Sequence, residues 1–143
     1  MTKQEVRAAA LAKLAVQSGD TLWDVGAGTG SVSVEMALAA PWGQVFAAEC
    51  DADACELIRA NRAKFGVHNL HLTEGRAPEE LADWPAPDAV FIGGSKGNLR
   101  TIVDAALAAN PDARLCISAI ALETLQEAVA ALTDHGLAAQ VTQ

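Results

Sequence analysis

Short apolar runs and longer amphipathic stretches alternate along the whole chain. Residues 21–25, 45–48, 70–72, 89–92 and 115–117 have the length and apolar character of strands. Between them, apolar residues recur at helical spacing: Ala54, Leu57 and Ile58; then Leu99, Ile102, Val103 and Ala106; then Leu122, Leu125, Val129 and Leu132. This alternation predicts an α/β fold, a mostly parallel twisted sheet with helices on both faces, because crossover helices must cover strands that are apolar on both sides. Right-handed crossovers then gather the loops that follow the strands along one edge, where ligands bind at the point of reversing strand order.

Punctuation residues set the boundaries. Thr2 with Glu5 three positions later predicts a capping box opening a first helix, whose apolar stripe is Val6, Ala10, Leu11 and Leu14 and whose stop is Ser18-Gly19. A helix-like run over 32–40 follows the first strand. Asp51 or Asp53 caps the next helix, which runs to Phe65-Gly66; Asn110-Pro111 ends the one before 115–117. Gly136 ends the last helix and leaves 137–143 as the start of a sixth strand. The chain shows no repeat, linker or low-complexity tract, and its 143 residues suit one domain with a real core.

Composition narrows the function. A formal charge of −8 opposes attraction to a polyphosphate, so nucleic acid is not an expected partner. No apolar run approaches the roughly 18 residues of a membrane span, and the first residues lack the apolar core of a signal peptide, which predicts a cytoplasmic protein. Cys50, Cys55 and Cys116 lack metal-ligand spacing, and their odd number argues against a disulfide framework; no metal site is expected. Cys50, between two acids, is not expected to act as a nucleophile.

The chemistry concentrates in Asp24-Val25-Gly26-Ala27-Gly28-Thr29-Gly30, a glycine-rich turn between a strand and a helix. Glycines at Gly26 and Gly28 let backbone approach a ligand, and the N–H groups of the following helix point into the same space. A packing turn explains one glycine but not this whole run. A dinucleotide fingerprint, G-x-G-x-x-G/A, would put its third small residue at Ser31; here the third glycine comes one residue early, at Gly30. The alternating glycines behind an acidic residue resemble motif I of Rossmann-like S-adenosylmethionine methyltransferases instead. Glu49 ends the second strand 19 positions after Gly30, where a carboxylate accepting from ribose hydroxyls is expected; Asp51 is better explained as a helix cap.

Two further loops complete the expected site. Glu74-Gly75-Arg76-Ala77-Pro78-Glu79 follows the third strand, where methyltransferases bracket the adenine, and Pro78 would start a short helix. Phe91-Ile92-Gly93-Gly94-Ser95-Lys96-Gly97-Asn98 follows the fourth. It lacks the Asn/Asp-Pro-Pro-Tyr/Phe motif of amine methyltransferases and has paired glycines there. His68, His71 and His135 have no context that marks a base, and Trp23, Trp42 and Trp84 read as packing residues.

Four segments carry a narrower resemblance: Thr2-Lys3-Gln4-Glu5-Val6-Arg7, the glycine turn, Gly75-Arg76-Ala77-Pro78-Glu79 with Phe91-Ile92-Gly93-Gly94-Ser95, and Ser118-Ala119-Ile120-Ala121-Leu122-Glu123-Thr124. Together they resemble CbiT-type decarboxylating precorrin methyltransferases, including the C-terminal half of fused, CobL-type precorrin-6Y methyltransferases. The resemblance implies a class I S-adenosyl-L-methionine-dependent fold and methylation of carbon 15 of a precorrin. It also implies loss of the carbon 12 acetate as carbon dioxide, a homo-oligomer up to a tetramer, and work alongside a carbon 5 methyltransferase domain. The family's terminal strand hairpin is expected to be missing from a single domain spanning 1–143. Other readings are a methyltransferase for another small molecule or a protein, and a non-catalytic nucleotide-binding module.

These readings assign the methyl donor to Asp24, Gly26, Ala27, Gly28, Gly30, Glu49, Cys50, Arg76, Ala77 and Gly93. They assign a polycarboxylate acceptor to Lys3, Arg7, Arg76, Gly94, Lys96 and Arg100, since an acidic protein needs local positive charge to hold an anion. His71 and Glu123, near strand ends, are the candidates for a proton donor.

Overall fold

The computed structural model describes residues 2–143. Its elements run α1 (Gln4–Leu14), β1 (Thr21–Val25), α2 (Ser31–Ala39), β2 (Gln44–Glu49), α3 (Ala52–Lys64), β3 (Leu70–Glu74), β4 (Ala89–Ile92), α4 (Leu99–Ala109), β5 (Arg114–Ile117) and α5 (Leu122–Asp134), with a short 3₁₀ turn at Glu79–Leu81. All strand pairs are parallel, in the order β3-β2-β1-β4-β5. The order reverses between β1 and β4, so the ligand crevice of an open α/β sheet falls between their carboxyl ends.

The period of two along each strand divides the core into two layers. On one face Leu22, Val45, Ala47, Leu70, Ala89 and Phe91 pack with α1, α2 and α3 residues such as Leu14, Met36 and Ile58. On the other, Trp23, Val25, Val90 and Ile92 pack under Leu99, Ile102, Val103 and Ala106 of α4 and Ala128 and Ala131 of α5. Trp23 is fully buried, and its indole N–H donates to the Pro85 carbonyl at 2.9 Å. Trp84 packs edge-on against it, whereas Trp42 stands in solvent.

Several boundaries differ from expectation, and each has a local cause. The capping box does not form: Lys3 is the N-cap of α1 and no side chain caps it. The same helix stops at Leu14 rather than at Ser18-Gly19, with Ala15 in the left-handed region. Arg114, a hundred residues away, donates to the Leu14 carbonyl at 2.7 Å and pairs with Asp20 at 2.5 Å. The helix end is therefore satisfied by a partner on β5. Strands β2 and β3 run on to Glu49 and Glu74, which are register partners, because pairing with a neighbour extends past the apolar runs. Asp51 caps α3, accepting from the Ala54 N–H at 3.1 Å. Asn110 and Gly136 close α4 and α5 where expected. No sixth strand is present among the described residues: 137–143 has no ladder partner, and Leu137 and Val141 remain exposed.

Candidate active site

The loops after β1 and β4 touch at the switch point. Gly26, at φ +71°, lies so close to Gly94 that a Cβ on it would stand 2.2 Å from the Gly94 carbonyl oxygen. Only glycine fits that crossing. The turn is then tied down by backbone: the Gly26 and Ala27 N–H groups both donate to the Ala48 carbonyl at 3.0 Å, and those of Gly93 and Gly94 to Val25 at 2.9 and 3.4 Å. Gly28, at φ +60°, faces open space.

Above this crossing lies a cavity of about 310 Å³, lined by Val25, Gly26, Gly28, Ala48, Glu49, Cys50, Asp51, Ala54, Gly75, Arg76, Ala77, Gly94, Ser95 and Lys96. Glu49 is 8% exposed at the end of β2. Its Oε1 accepts from the Gly28 N–H at 2.7 Å and its Oε2 from the Asp51 N–H at 2.9 Å. A carboxylate accepts at about four lone-pair positions, so two remain for a ligand diol. The Cys55 thiol donates to the Glu49 carbonyl at 3.4 Å, fixing the strand end from α3. Asp51, expected as the helix cap, forms that cap and also lines the cavity.

A second depression of about 190 Å³ shares Gly94 and Ser95 with the first and continues over Gly93, Leu99, Ile117, Ser118, Ile120, Ala121 and Thr124. Its walls are uncharged. The Gly93–Asn98 stretch between the two is held to the β3 loop by Asn98, whose side-chain amide donates to the Ala77 carbonyl at 3.1 Å. Lys96 sits there at φ +50°, a left-handed conformation that few side-chain-bearing residues adopt.

Of the expected donor-site residues, the fold gathers Gly26, Gly28, Glu49, Cys50, Arg76 and Ala77 around the first cavity, and Gly93 on the second. The other three line neither cavity. Ala27 packs into the core, Gly30 opens α2 against Ile58 of α3, and Asp24 is buried. Asp24 Oδ2 accepts from the Ser33 hydroxyl, while its Oδ1 has no partner among the described residues. Burial pushes this carboxyl up to about 7; the Ser33 hydroxyl opposes the rise and the charge of Glu49 adds to it. Ser33 was not singled out in the sequence, since nothing local ties a helix serine to a strand aspartate.

The expected cations separate as sharply. Arg76 and Lys96 reach the cavity exposed and without ion pairs among the described residues, with Gly94 between the two sites. Arg7 instead pairs with Glu35 at 2.9 Å and donates to the Thr2 carbonyl, and Arg100 pairs with Asp134 at 2.6 Å. Both are paired within the fold and line neither cavity, apart from the place their expected role required. Lys3 is exposed at the start of α1 and lines neither cavity. The two proton-donor candidates are also displaced. His71 lies three residues short of the end of β3, bonded to Gln44 at 2.5 Å and stacked on Phe46, and Glu123 faces solvent on α5. His135 pairs with Asp104 on the surface.

A glycine turn and a strand-end carboxylate facing one cavity, at the switch point of a parallel sheet, define a Rossmann-like cofactor site. The chain belongs to the precorrin methyltransferase family, whose domain model matches residues 1–143. It is 44% identical over 145 residues to a probable cobalt-precorrin-6B C(15)-methyltransferase (decarboxylating) of Pyrobaculum calidifontis, covering all of this chain and 74% of that protein. It is 41% identical to a precorrin-6Y C(5,15)-methyltransferase [decarboxylating] of Sinorhizobium, covering 94% of this chain but 32% of that one. The crystal structure of precorrin-6Y C5,15-methyltransferase from Geobacter metallireducens superposes with a TM-score of 0.92 at 45% identity, over 95% of this chain and 73% of that one. The fold is that of class I S-adenosylmethionine-dependent methyltransferases. No helix of the described residues is long and apolar enough to cross a membrane.

Proposed function

We propose that this chain is an S-adenosylmethionine-dependent C-methyltransferase that methylates carbon 15 of a precorrin and removes the carbon 12 acetate as carbon dioxide, in cobalamin biosynthesis. The observation that carries the reading is the first cavity, in a chain of this family: Gly28 leaves open space against the backbone, and Glu49 has two acceptor positions free. Those residues fit S-adenosylmethionine, with Glu49 toward the ribose hydroxyls and Arg76 and Ala77 beside the adenine. When bound, it supplies a methyl group on a positively charged sulfur.

The chain's contribution is to hold and orient. The second depression adjoins the first through Gly94 and Ser95, so an acceptor there meets the donor across backbone with no bulky side chain between them. Lys96 and Arg76 offer charge to its peripheral carboxylates. Positioning of this kind contributes on the order of 7–11 kcal/mol, enough that no nucleophile or strong base is required. The uncharged walls formed by Leu99, Ile117 and Ile120 disfavour a carboxylate there relative to neutral carbon dioxide; as the C–C bond breaks, its electron pair passes into the conjugated ring, which takes up a proton from solvent, and the Ser95, Ser118 and Thr124 hydroxyls orient the ring edge. The proposal includes a cytoplasmic homo-oligomer, up to a tetramer, acting with a carbon 5 methyltransferase domain. Support for the last point is the Sinorhizobium relative, which is named for both positions and of which this chain matches 32%.

Incubating the protein with S-adenosylmethionine and a precorrin-6 pool tests this by mass spectrometry. The expected product has gained one methyl group and lost one carbon dioxide. Donor binding with methylation of a different acceptor would replace the substrate while keeping the enzyme class, and absence of donor binding would leave a non-catalytic module.

A further inference from the structure

We propose that Asp24, beneath the glycine turn, is a charge-sensing positioning residue: it releases its proton when a cationic ligand fills the cavity above, so the site holds a sulfonium more tightly than the neutral thioether left after transfer. The proposal rests on reading that cavity as the S-adenosylmethionine site.

The geometry isolates this carboxyl. Asp24 lies on β1 between Ala47 of β2 and Phe91 of β4, on the face covered by α2. One oxygen takes the Ser33 hydroxyl and the other takes nothing. A buried carboxyl with an orphaned oxygen is tolerable as the neutral acid, and becomes tolerable as the anion only if positive charge comes near. Among the described residues no cation contacts it. From β2 it faces the negative Glu49; β4 offers only apolar side chains; α2 offers Ser33, and its Glu35 is already paired with Arg7 of α1.

The ligand is the remaining source of charge. The two residues after Asp24, Val25 and Gly26, line the cavity, and Glu49 lines the same space from the neighbouring strand. A cation there neutralises the field of Glu49 and draws the Asp24 proton off into solvent. Removing the methyl group removes the sulfonium charge, and the proton returns. Linkage makes the effect reciprocal: ionising Asp24 strengthens binding of the cation.

The test is calorimetry of the purified protein with S-adenosylmethionine and with S-adenosylhomocysteine, at pH 6, 7 and 8, in buffers of different ionisation enthalpy. Asp24→Asn is the comparison, since subtracting it removes protons from the ligands' own amino groups. At pH 7 the parent is expected to release about half a proton more than the variant with the sulfonium ligand, and less with the thioether. The preference for the sulfonium should rise up to about tenfold from pH 6 to 8 in the parent and stay flat in Asp24→Asn. Ser33→Ala, which removes a bond favouring the anion, should move that rise to higher pH and provides the test should Asp24→Asn not fold. Equal proton release for both ligands, release that persists in Asp24→Asn, or a midpoint unmoved in Ser33→Ala overturns the proposal while leaving the cofactor site standing. Failure of both ligands to bind the parent overturns the site itself, and the proposal with it.

Discussion

The loops at the two halves of the sheet are built differently. After β1 and β2 the turn is closed by its own backbone: two N–H groups converge on the Ala48 carbonyl, Gly28 donates to Glu49, and Asp51 donates to the same carboxylate. After β4 and β5 the chain is more exposed. Gly93, Gly94, Lys96 and Gly97 are exposed, Lys96 is in a left-handed conformation, and Ile120 stands fully in solvent. The first half fits a fixed, small cofactor because hydrogen bonds to backbone leave little to adjust. The second presents an open, uncharged surface that meets the first cavity beside Lys96, which on the proposed assignment suits a broad acceptor whose carboxylates reach back toward that cation. On the proposed assignment, a pre-formed donor half and an open acceptor half should respond to substitution in different ways.

The largest expected effect joins the two halves. Gly26→Ala puts a methyl carbon 2.2 Å from the Gly94 oxygen at a positive φ. It should cost at least about 3 kcal/mol in urea unfolding and abolish donor binding, the left-handed conformation alone accounting for roughly 1–2 kcal/mol. A variant of parental stability would show that the crossing is not tight.

Next comes Asp24. Its carboxyl is raised from 3.8 to about 7 by burial, so between those values the folded state holds a proton that the unfolded state has lost. Stability is then fully present below the unfolded value, falls as pH rises toward about 7, and is flat above it. The total is on the order of 4 kcal/mol. Asp24→Asn should remove this slope and be the more stable protein at pH 8, as measured by unfolding across pH.

Glu49→Ala should weaken S-adenosylmethionine binding at least tenfold by calorimetry, since a hydrogen bond to a charged group contributes about 1.5–3 kcal/mol, and it should also lower stability by about 1–3 kcal/mol because the Gly28 and Asp51 N–H groups lose their acceptor. On the acceptor side, Lys96→Gly relieves the left-handed residue and should raise stability by about 1 kcal/mol. The same change should weaken precorrin binding a few-fold and lessen its salt dependence, with donor affinity kept. The smallest effect is expected from Arg100→Ala: its partner is the exposed Asp134, so stability should change by less than about 1 kcal/mol and acceptor binding not at all.

The sequence alone determined the parallel α/β order, the five strand positions and the strand–turn–helix at 24–30, because periodicity and glycine spacing are local properties. Glu49 was legible for the same reason, as an acid at a fixed distance from a recognisable turn. Only the tertiary structure decided which cations are free. Arg7, Arg76, Lys96 and Arg100 look alike along the chain, but Glu35 and Asp134, distant in sequence, neutralise two of them. It also moved His71 away from the cavity, since the register of β3 against β2 sets it opposite Phe46. Asp24 shows the division within one residue. Its place before the glycines is written in the sequence, whereas its burial, its bond to Ser33 and its raised proton affinity arise from laying α2 across the sheet, which removes water that no local pattern can register.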